Sequence, residues 1–556
     1  MSMEEMVQRD ESRLLSLGYA QVLSRGFQAA NNFCVVVSSV ALVVGFYASF
    51  SIALQYGGPV SALYGWLICA VGTLATALAL AELSSAFPTS GGVYFYASAL
   101  VKPSLGPVFA WVMGWTHLLG QCSALSSVLF TTAKLISTII LLGSGSGFCC
   151  GNAVEAQSPG SGPDRMTPGP GYVVNQTQTY FIYLGFILII TVLASLPQRW
   201  TGFINIIGGW YNIGWTLSLI ISIPLISTLH PPVEWALAEF DSSFPSDNFN
   251  INDRTYIFIV GLLFSAYSQT GFDGPCHLSE ETVASELSAP KAIVWGVVYC
   301  LLTGFLWIIS LLFSIPNYLF VLGQDPRYYS HTNGDAIPQI FIDAFIQRSG
   351  SSSYLGGTLL SLVILGSLFF CCFAYITYIS RIAFCYARDK ALPLSFLLTQ
   401  VSSWSSTPLY SIWAVAILCS LLGLLMLISL TAFNALVSLA TIGLSATYAV
   451  PIAARIICRD RFKPGPWNLG KYSIPIGSYA VLWTVFLVIG FSLPTVYPVT
   501  LDVFNWSGVM LLGLLFVSLV CFYFPGIGAY RWFKGPQVNL QVQDVPEASS
   551  RQDLPP

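Results

Sequence analysis

Long apolar runs separated by short polar stretches follow one another from about residue 32 to residue 524. A helix needs about 20 apolar residues to cross the hydrocarbon core of a membrane. Twelve runs approach this length, and we expect each to form a spanning helix; the third and eighth are long enough to tilt. The predicted spans are 32–54, 60–83, 107–142, 180–196, 204–227, 257–275, 292–315, 355–387, 409–427, 432–456, 479–491 and 506–524.

Composition supports lipid as the solvent of most of this chain. Of its 556 residues, 55% are hydrophobic and 8% are charged, whereas soluble domains carry roughly 25% charged residues. The sequence therefore predicts an all-α membrane protein. The net charge of −3 gives no indication of a nucleic-acid partner. The first 30 residues are polar, so we expect no signal peptide and an internal first helix that directs insertion.

The distribution of positive charge predicts the orientation in the membrane. With both termini in the cytoplasm, only four of the 22 lysines and arginines fall in outer loops, namely Arg165, Arg254, Arg327 and Arg348. Lys134 lies within the third span, and all others lie on the inner side. Cytoplasmic loops are enriched in these residues, so the pattern favours this orientation and an even number of helices. Asn175 begins a glycosylation sequon in a loop that this topology places outside.

Cysteine and histidine spacing predicts neither a metal site nor a disulfide framework. Most of the 13 cysteines lie singly in apolar runs, where free cysteine packs as a small hydrophobe. Cys149 and Cys150 are adjacent in a polar loop, where they either pair or stay free. We find no nucleophile–base pair, metal cluster or nucleotide loop, and so predict no enzyme activity, no catalytic residue and no cofactor.

Two spans carry signals of interruption. Gly45 lies near the centre of the first span, and Thr270, Gly271, Asp273, Gly274 and Pro275 cluster in the sixth. Proline and glycine weaken helices, and broken helices form the binding sites of many transporters. The alternative is close packing, which membrane glycines often serve. The two breaks are five helices apart, which fits two five-helix repeats of opposite orientation followed by two extra helices.

Several motifs resemble the amino acid–polyamine–organocation superfamily. They are QYGGP at 55–59, AELSSAFPTSGGVY at 81–94, TGFDGPCHLSEE at 270–281 and ARDKALP at 387–393. The segment GPWNLGKY at 465–472 is similar to the amino acid/choline transporter family, to which fungal GABA and choline permeases and plant bidirectional amino acid transporters belong. The resemblance covers roughly residues 18–530.

The resemblance implies a LeuT-type fold with discontinuous helices 1 and 6, and transport by alternating access. It implies that backbone near the two breaks receives the carboxylate and amine of a substrate. The candidate substrate-binding residues are Val44, Gly45, Phe46, Tyr47, Tyr267, Ser268, Thr270 and Gly271. The chain departs from the superfamily in having Asp273 where Glu is common, and in lacking a lysine in the fifth span, where Asn212 stands.

Ionisable residues within spans are costly and usually functional. Asp273 is the first candidate for coupling, as a proton or amine site; the alternative is a cap for the second half of helix 6. His277 is a second candidate, with an interfacial hydrogen bond as the alternative. Glu82 is expected to pair with Arg381 or Arg388 as an inner gate or a structural ion pair.

His117 and Lys134 are expected to have no transport role. For His117, which lies among apolar residues of the third span, we expect a packing role. Lys134 is expected to extend its side chain outward towards the membrane surface. Neither residue is therefore among the coupling or substrate-binding candidates.

The sequence thus predicts a secondary transporter for amino acids or GABA, driven by protons. The alternatives are a transporter of an organic cation such as choline or a polyamine, and a sensor that binds amino acids without moving them. The predicted organisation is a tail (1–30), a transporter domain (31–530) and a second tail (531–556). Within the domain we expect repeats at about 32–228 and 254–458, and extra helices at about 475–528. The plasma membrane and the vacuolar membrane are both compatible locations.

Overall fold

The structure, a computed structural model, describes residues 3–144, 172–243, 250–323, 332, 334–349, 354–428, 430–500 and 504–536. The described residues are helical, with no strand beyond two isolated bridges. The main helices are α1 (Met3–Ser16), α2 (Ala29–Val40), α3 (Leu42–Gln55), α4 (Gly58–Ala86), α5 (Val93–Leu100), α6 (Gly106–Gly143), α7 (Gln176–Ala194), α8 (Gln198–Ile226), α9 (Arg254–Ser268), α10 (Gly274–His277), α11 (Ser285–Leu312), α12 (Ala336–Ser349), α13 (Tyr354–Arg388), α14 (Leu409–Gly423), α15 (Leu430–Ile457), α16 (Ser473–Gly490) and α17 (Ser507–Tyr523).

Each of the twelve predicted spans contains a helix. Ten helices among the described residues are long and apolar enough to cross a membrane, with α2 and α3 counted as one. The other two, α9 and α17, are shorter apolar helices at the predicted sixth and twelfth positions. The third span is the longest: the 38 residues of α6 extend about 57 Å at 1.5 Å per residue. That exceeds the roughly 30 Å hydrocarbon core, as expected for a tilted helix.

The first span is broken, although at a different residue from the predicted one. Ala41 adopts a left-handed conformation (φ 32°, ψ 75°) and separates α2 from α3. We expected the interruption near Gly45, which instead lies inside α3. A non-glycine residue with positive φ is uncommon and costs conformational energy. Gly45 serves a close approach: a Cβ there would lie 2.9 Å from the Cα of Ser268 on α9.

The sixth span is broken where the sequence predicts. Helix α9 ends at Ser268, and α10 begins at Gly274 after a non-helical segment that contains Gly271 (φ 97°). A Cβ on Gly271 would lie 2.5 Å from the hydroxyl oxygen of Tyr375, so both the backbone angle and the space require glycine. The discontinuous helices 1 and 6 of the predicted fold are therefore confirmed. The division into two repeats and the tail boundaries stay predictions.

Two accessory elements cover opposite ends of the bundle. The N-terminal segment, Met3 to Phe27, packs at the end where α10 meets α11: Arg9 pairs with Glu286 there, and the Asp10 carboxylate accepts from the Ala284 amide at 2.6 Å. We call this end the N-terminal face. Helix α12 lies at the other end, which we call the opposite face. The adjacent cysteines Cys149 and Cys150 lie outside the described residues.

Candidate functional site

The two broken helices meet at their breaks. The Ser39 hydroxyl, next to the end of α2, donates to the Gly271 carbonyl at 2.6 Å. The first turn of a helix has amides without intrahelical partners and the last turn has such carbonyls, so α3 begins with a positive end and α9 ends with a negative one. These two helix ends lie on the same small cavity. Their polarity suits a molecule that carries both a carboxylate and an amine.

The central cavity lies between the breaks. Its volume is about 30 Å³, room for about two or three water molecules. It must therefore widen before it holds an amino acid. The lining residues are Ser39, Val40, Val44, Gly45, Ala124, Val128, Tyr267, Thr270, Cys371, Tyr375, Ala440, Thr441 and Leu444.

Two larger cavities extend from the central cavity towards the opposite face. The nearer one, of about 320 Å³, shares Tyr267 and Thr441 with the central cavity and is also lined by Tyr47 and Ser127. The Tyr267 and Ser127 hydroxyls lie 2.9 Å apart. The farther cavity, of about 330 Å³, shares Phe130 and Lys134 with the nearer one. Together the three cavities trace a route from the opposite face to the breaks.

An ion pair stands between the two larger cavities. Lys134 of α6 pairs with Asp335, which precedes α12, and we call this contact the outer pair. Asp335 is buried, with 3% of its side chain exposed, whereas the Lys134 side chain is 55% exposed. The Tyr47 hydroxyl donates to the same carboxylate at 3.1 Å, and Thr138 also donates to it. The exposure of Lys134 agrees with the outward extension that we expected, and the side chain also lines both cavities.

The predicted substrate residues separate into two groups. Val44, Gly45, Tyr267 and Thr270 line the central cavity, and the Gly271 carbonyl lies at the break. The others do not line it. Tyr47 lines the nearer outer cavity, Phe46 packs in an aromatic cluster, and the Ser268 hydroxyl lies 3.4 Å from that of Ser49. Ser39 and Tyr375 also line the central cavity but are not among the predicted residues, because only contacts between distant helices bring them there.

Asp273 belongs to a buried polar cluster. Its Oδ2 lies 3.3 Å from His117 Nε2 and 3.2 Å from His277 Nε2, and it accepts from the Gln121 amide at 2.8 Å. Asp273 stands at the N-cap position of α10, as the alternative role expects, but its side chain makes no capping hydrogen bond. His117 is fully buried, as its expected packing role requires, and its ring also contacts Asp273 and His277. We call His117, Asp273 and His277 the triad.

Among the described residues, the triad is the one group of three or more histidine, cysteine, aspartate or glutamate side chains whose ligand atoms converge in this way. Its three potential ligand atoms all lie within 4.8 Å of one another, and all three residues are buried. Such a convergence of nitrogen and oxygen atoms suits a cation. The sequence spacing predicts no such group, because the two histidines are 160 residues apart in the chain.

Buried ion pairs close the N-terminal face. Arg381 pairs with Glu281 at 3.1 Å, and Arg388 pairs with Glu280 at 2.9 Å. Glu82 contacts neither arginine, so the expected pairing is wrong. Its carboxylate instead accepts from the Ser473 hydroxyl and from the Leu469 amide, which ties α4 to the start of α16.

At the opposite face, Asn175 is exposed and caps α7, where its side chain accepts from the Gln178 amide at 2.9 Å. Exposure is compatible with glycosylation, which stays a prediction. This loop also carries Tyr172, whose amide bonds to Ser144 at the end of α6.

Comparison with known proteins gives a match over nearly the whole chain. A family model described as amino acid permease matches residues 27–516. Amino-acid permease BAT1 of Arabidopsis thaliana is 33% identical over 529 residues, which cover 95% of this chain and 96% of the relative. Amino-acid permease 2 of Neurospora crassa is 25% identical, with 95% and 89% covered. A putative polyamine transporter of Candida albicans is also 25% identical, with 99% and 93% covered.

Proposed function

The chain belongs to the amino acid permease family, and we propose that it is a multi-pass membrane permease that carries amino acids by alternating access. This proposal rests on one observation. The two broken helices meet at one cavity, where α3 begins with its positive end and α9 ends with its negative end. The positive end of α3 receives the substrate carboxylate, and the negative end of α9 receives its amine. We further propose proton coupling through Asp273, with both termini in the cytoplasm as the charge distribution favours.

The route to the site favours a zwitterion, including GABA, over a polyamine or choline. The charged residues that line the two outer cavities are Lys134 and Asp335. They neutralise each other in the outer pair, and the central cavity has no charged lining residue. Among the described residues, a polyamine would therefore meet no unpaired carboxylate along this route. A cation such as choline would also leave the positive end of α3 without a counter-charge.

At the N-terminal face, a cavity of about 870 Å³ beside Arg25 and Trp404 shares no lining residue with the central cavity. The central cavity is therefore closed towards that face, whereas cavities extend to it from the opposite face. Arg388, besides its pair with Glu280, lies 4.1 Å from the ring centroid of Tyr19. The Tyr19 hydroxyl contacts Asp389 at 3.1 Å, and Tyr94 donates to the same carboxylate at 2.9 Å. Alternating access requires this closure to open when the opposite side closes. A transporter accounts for these two unequal ends, whereas a sensor has no need of them.

The proposed site is tested by removing single hydroxyl groups. Tyr267→Phe deletes a hydroxyl on the central cavity, and Thr270→Val replaces one at the break. A hydrogen bond contributes about 1 kcal/mol, so we expect KM for amino acid uptake to rise about fivefold in each variant. Tyr211→Phe is the matched control, because its hydroxyl contacts the Val363 carbonyl away from these cavities. Equal effects in Tyr267→Phe and the control would contradict the location of the site.

The requirement for a carboxylate is tested by competition. A free amino acid should inhibit uptake of the labelled substrate, whereas its methyl ester should inhibit at least tenfold more weakly. Equal inhibition by both would show that the positive end of α3 does not bind a carboxylate, and would favour the organic-cation alternative.

A further inference from the structure

The triad joins two parts of the molecule that alternating access must move relative to each other. His117 belongs to the long helix α6, whereas Asp273 directly precedes α10, the second half of the broken sixth span, and His277 is its last residue. His117 Nε2 and His277 Nε2 lie 3.0 Å apart. All three side chains are fully buried, so no bulk water satisfies their polar atoms.

The outer nitrogens of the two rings fix where their protons lie. His277 Nδ1 lies 3.3 Å from the Ser90 carbonyl, which can only accept, so Nδ1 of His277 carries a hydrogen. His117 Nδ1 lies 3.1 Å from the Thr447 hydroxyl oxygen. That hydroxyl donates its own hydrogen to the Leu444 carbonyl at 2.8 Å, so it accepts from His117. Both rings, when neutral, therefore present bare Nε2 lone pairs.

The space that the His277 ring occupies explains Gly92 in the SGG segment at residues 90–92. Gly92 has φ 57°, and a Cβ on it would lie 2.4 Å from His277 Cε1. Only glycine leaves room for the ring at this point. The segment SGG at residues 90–92 thus supplies both the carbonyl that orients His277 and the space that the ring occupies.

Three sets of lone pairs converge if both histidines are neutral and Asp273 is ionised. The distances among Nε2, Nε2 and Oδ2 are 3.0, 3.3 and 3.2 Å. Such distances are those of hydrogen bonds, and a hydrogen bond needs a hydrogen. The Gln121 amide supplies one to Oδ2, but none lies between the two imidazoles. At least one cation must therefore bind among these three atoms.

Charge favours a proton as that cation. Ionised Asp273 with two neutral histidines carries one negative charge, and burial of an uncompensated charge is costly. One added proton makes the triad neutral, whereas a divalent metal ion, the kind of metal ion that imidazole nitrogens bind, would leave it positive. The other titratable groups that face it are neutral near pH 7 at their ordinary pKa values; they are Tyr96, Cys276, Tyr375, Tyr378 and Tyr448.

The nearest ion pairs are already balanced. Glu280 and Glu281, which follow the triad in sequence, each bind an arginine of α13. They therefore offer no free charge that could replace a cation at the triad. The neutralising proton has to bind at Asp273, His117 or His277 themselves.

We propose that the triad stores one proton, which holds α10 against α6, and that loss of this proton releases α10. The storage site itself follows from geometry; its role in coupling rests on the proposed function. With the proton bound, His117 and His277 share a hydrogen bond. Without it, the lone pairs repel and α10 is free to leave α6, as opening of the N-terminal face requires. His117, not Asp273 alone, is thus part of the proton site.

The proton is tested directly in the purified protein by nitrogen NMR of labelled histidine. The chain has four histidines, so His230→Gln and His331→Gln leave only the two of the triad. We expect both Nδ1 atoms to carry hydrogen throughout, and one proton to be lost from the Nε2 pair as pH is raised. Bare Nε2 signals at every pH from 5 to 9 would overturn the proposal. The proposal would also be overturned if a chelator removed one equivalent of metal from the protein.

The coupling role is tested in proteoliposomes with His117→Gln, and His230→Gln as the matched control at the opposite face. In His117→Gln we expect accumulation of substrate driven by the proton gradient to fall, and to fall at least tenfold more than the rate of substrate exchange does. Equal losses of accumulation and exchange would overturn the coupling role. If the wild-type protein moves no amino acid, the proposed function fails, and the NMR result still decides whether the triad holds a proton.

Discussion

Asp335→Asn removes the negative charge of the outer pair and keeps a side-chain oxygen of the same size. In the native chain this carboxylate binds Lys134 of α6 and accepts from Tyr47 of α3 and Thr138 of α6. It therefore ties α12 to two helices across the route between the outer cavities. Both hydroxyls donate to the same oxygen, Oδ2, and the amide oxygen of Asn can accept both, so the charge is the main loss.

The magnitude follows from the unequal exposure of the two partners. Breaking a fully buried ion pair costs about 3–5 kcal/mol, whereas exposed pairs contribute up to about 1 kcal/mol. Asp335 is 3% exposed and Lys134 is 55% exposed, so we expect about 1–2 kcal/mol. This corresponds to a shift of about 5- to 30-fold towards the conformation in which the two outer cavities merge.

Labelling of Ser127→Cys with a water-soluble maleimide measures that shift. Ser127 lines the nearer cavity and is 3% exposed, so its labelling reports opening of the outer pair. The rate should rise about 5- to 30-fold in Asp335→Asn. The exchanged variant, Lys134→Asp with Asp335→Lys, should label within about threefold of the wild type. An unchanged rate in Asp335→Asn, or no recovery on exchange, would refute the gating role.

Three further predictions concern stability. Gly45→Ala places a methyl group 2.9 Å from the backbone of α9, and it should destabilise the purified protein by about 1–3 kcal/mol. The control is Gly185→Ala, whose added methyl group meets nothing within 4 Å, and it should not lower the melting temperature. Glu281→Gln leaves the buried Arg381 charge without its partner and should cost about 3–5 kcal/mol, with recovery when Arg381→Met is added; no recovery would contradict this. Burial raises the pKa of Asp343, on the non-spanning helix α12, to about 7. The unfolded chain ionises at a lower pH, so stability should fall as pH rises from about 4 to about 7, and Asp343→Asn should lack this slope.

Features that depend on local sequence were predictable. Spanning helices require runs of apolar residues, and the break at Gly271 requires glycine for its backbone angle. The break at Ala41 had no such signal, because alanine rarely adopts positive φ. Beside this break, the Ser39 hydroxyl donates to the Gly271 carbonyl, a tertiary contact that the sequence pattern does not contain.

The polar contacts were the least predictable part of the site. Lys134 and Asp335 are 201 positions apart, and Asp335 lies outside every predicted span. His117 reads as one polar residue in an apolar helix until the fold brings it to His277. We predicted an arginine partner for Glu82 from their opposite charges alone, whereas the actual partners of its carboxylate are a hydroxyl and a backbone amide. The partners of a buried polar side chain are the groups that the fold places beside it, and the sequence pattern does not give those positions.

The most direct test of the central claim is uptake by proteoliposomes that contain the purified chain. The panel is labelled alanine, GABA, glutamate, lysine and choline, with and without a pH gradient. We predict saturable uptake of at least one zwitterionic amino acid or GABA, which increases with an inward proton gradient and is lost when the gradient is collapsed. Uptake of choline alone, or of none of these by correctly folded protein, would contradict the account.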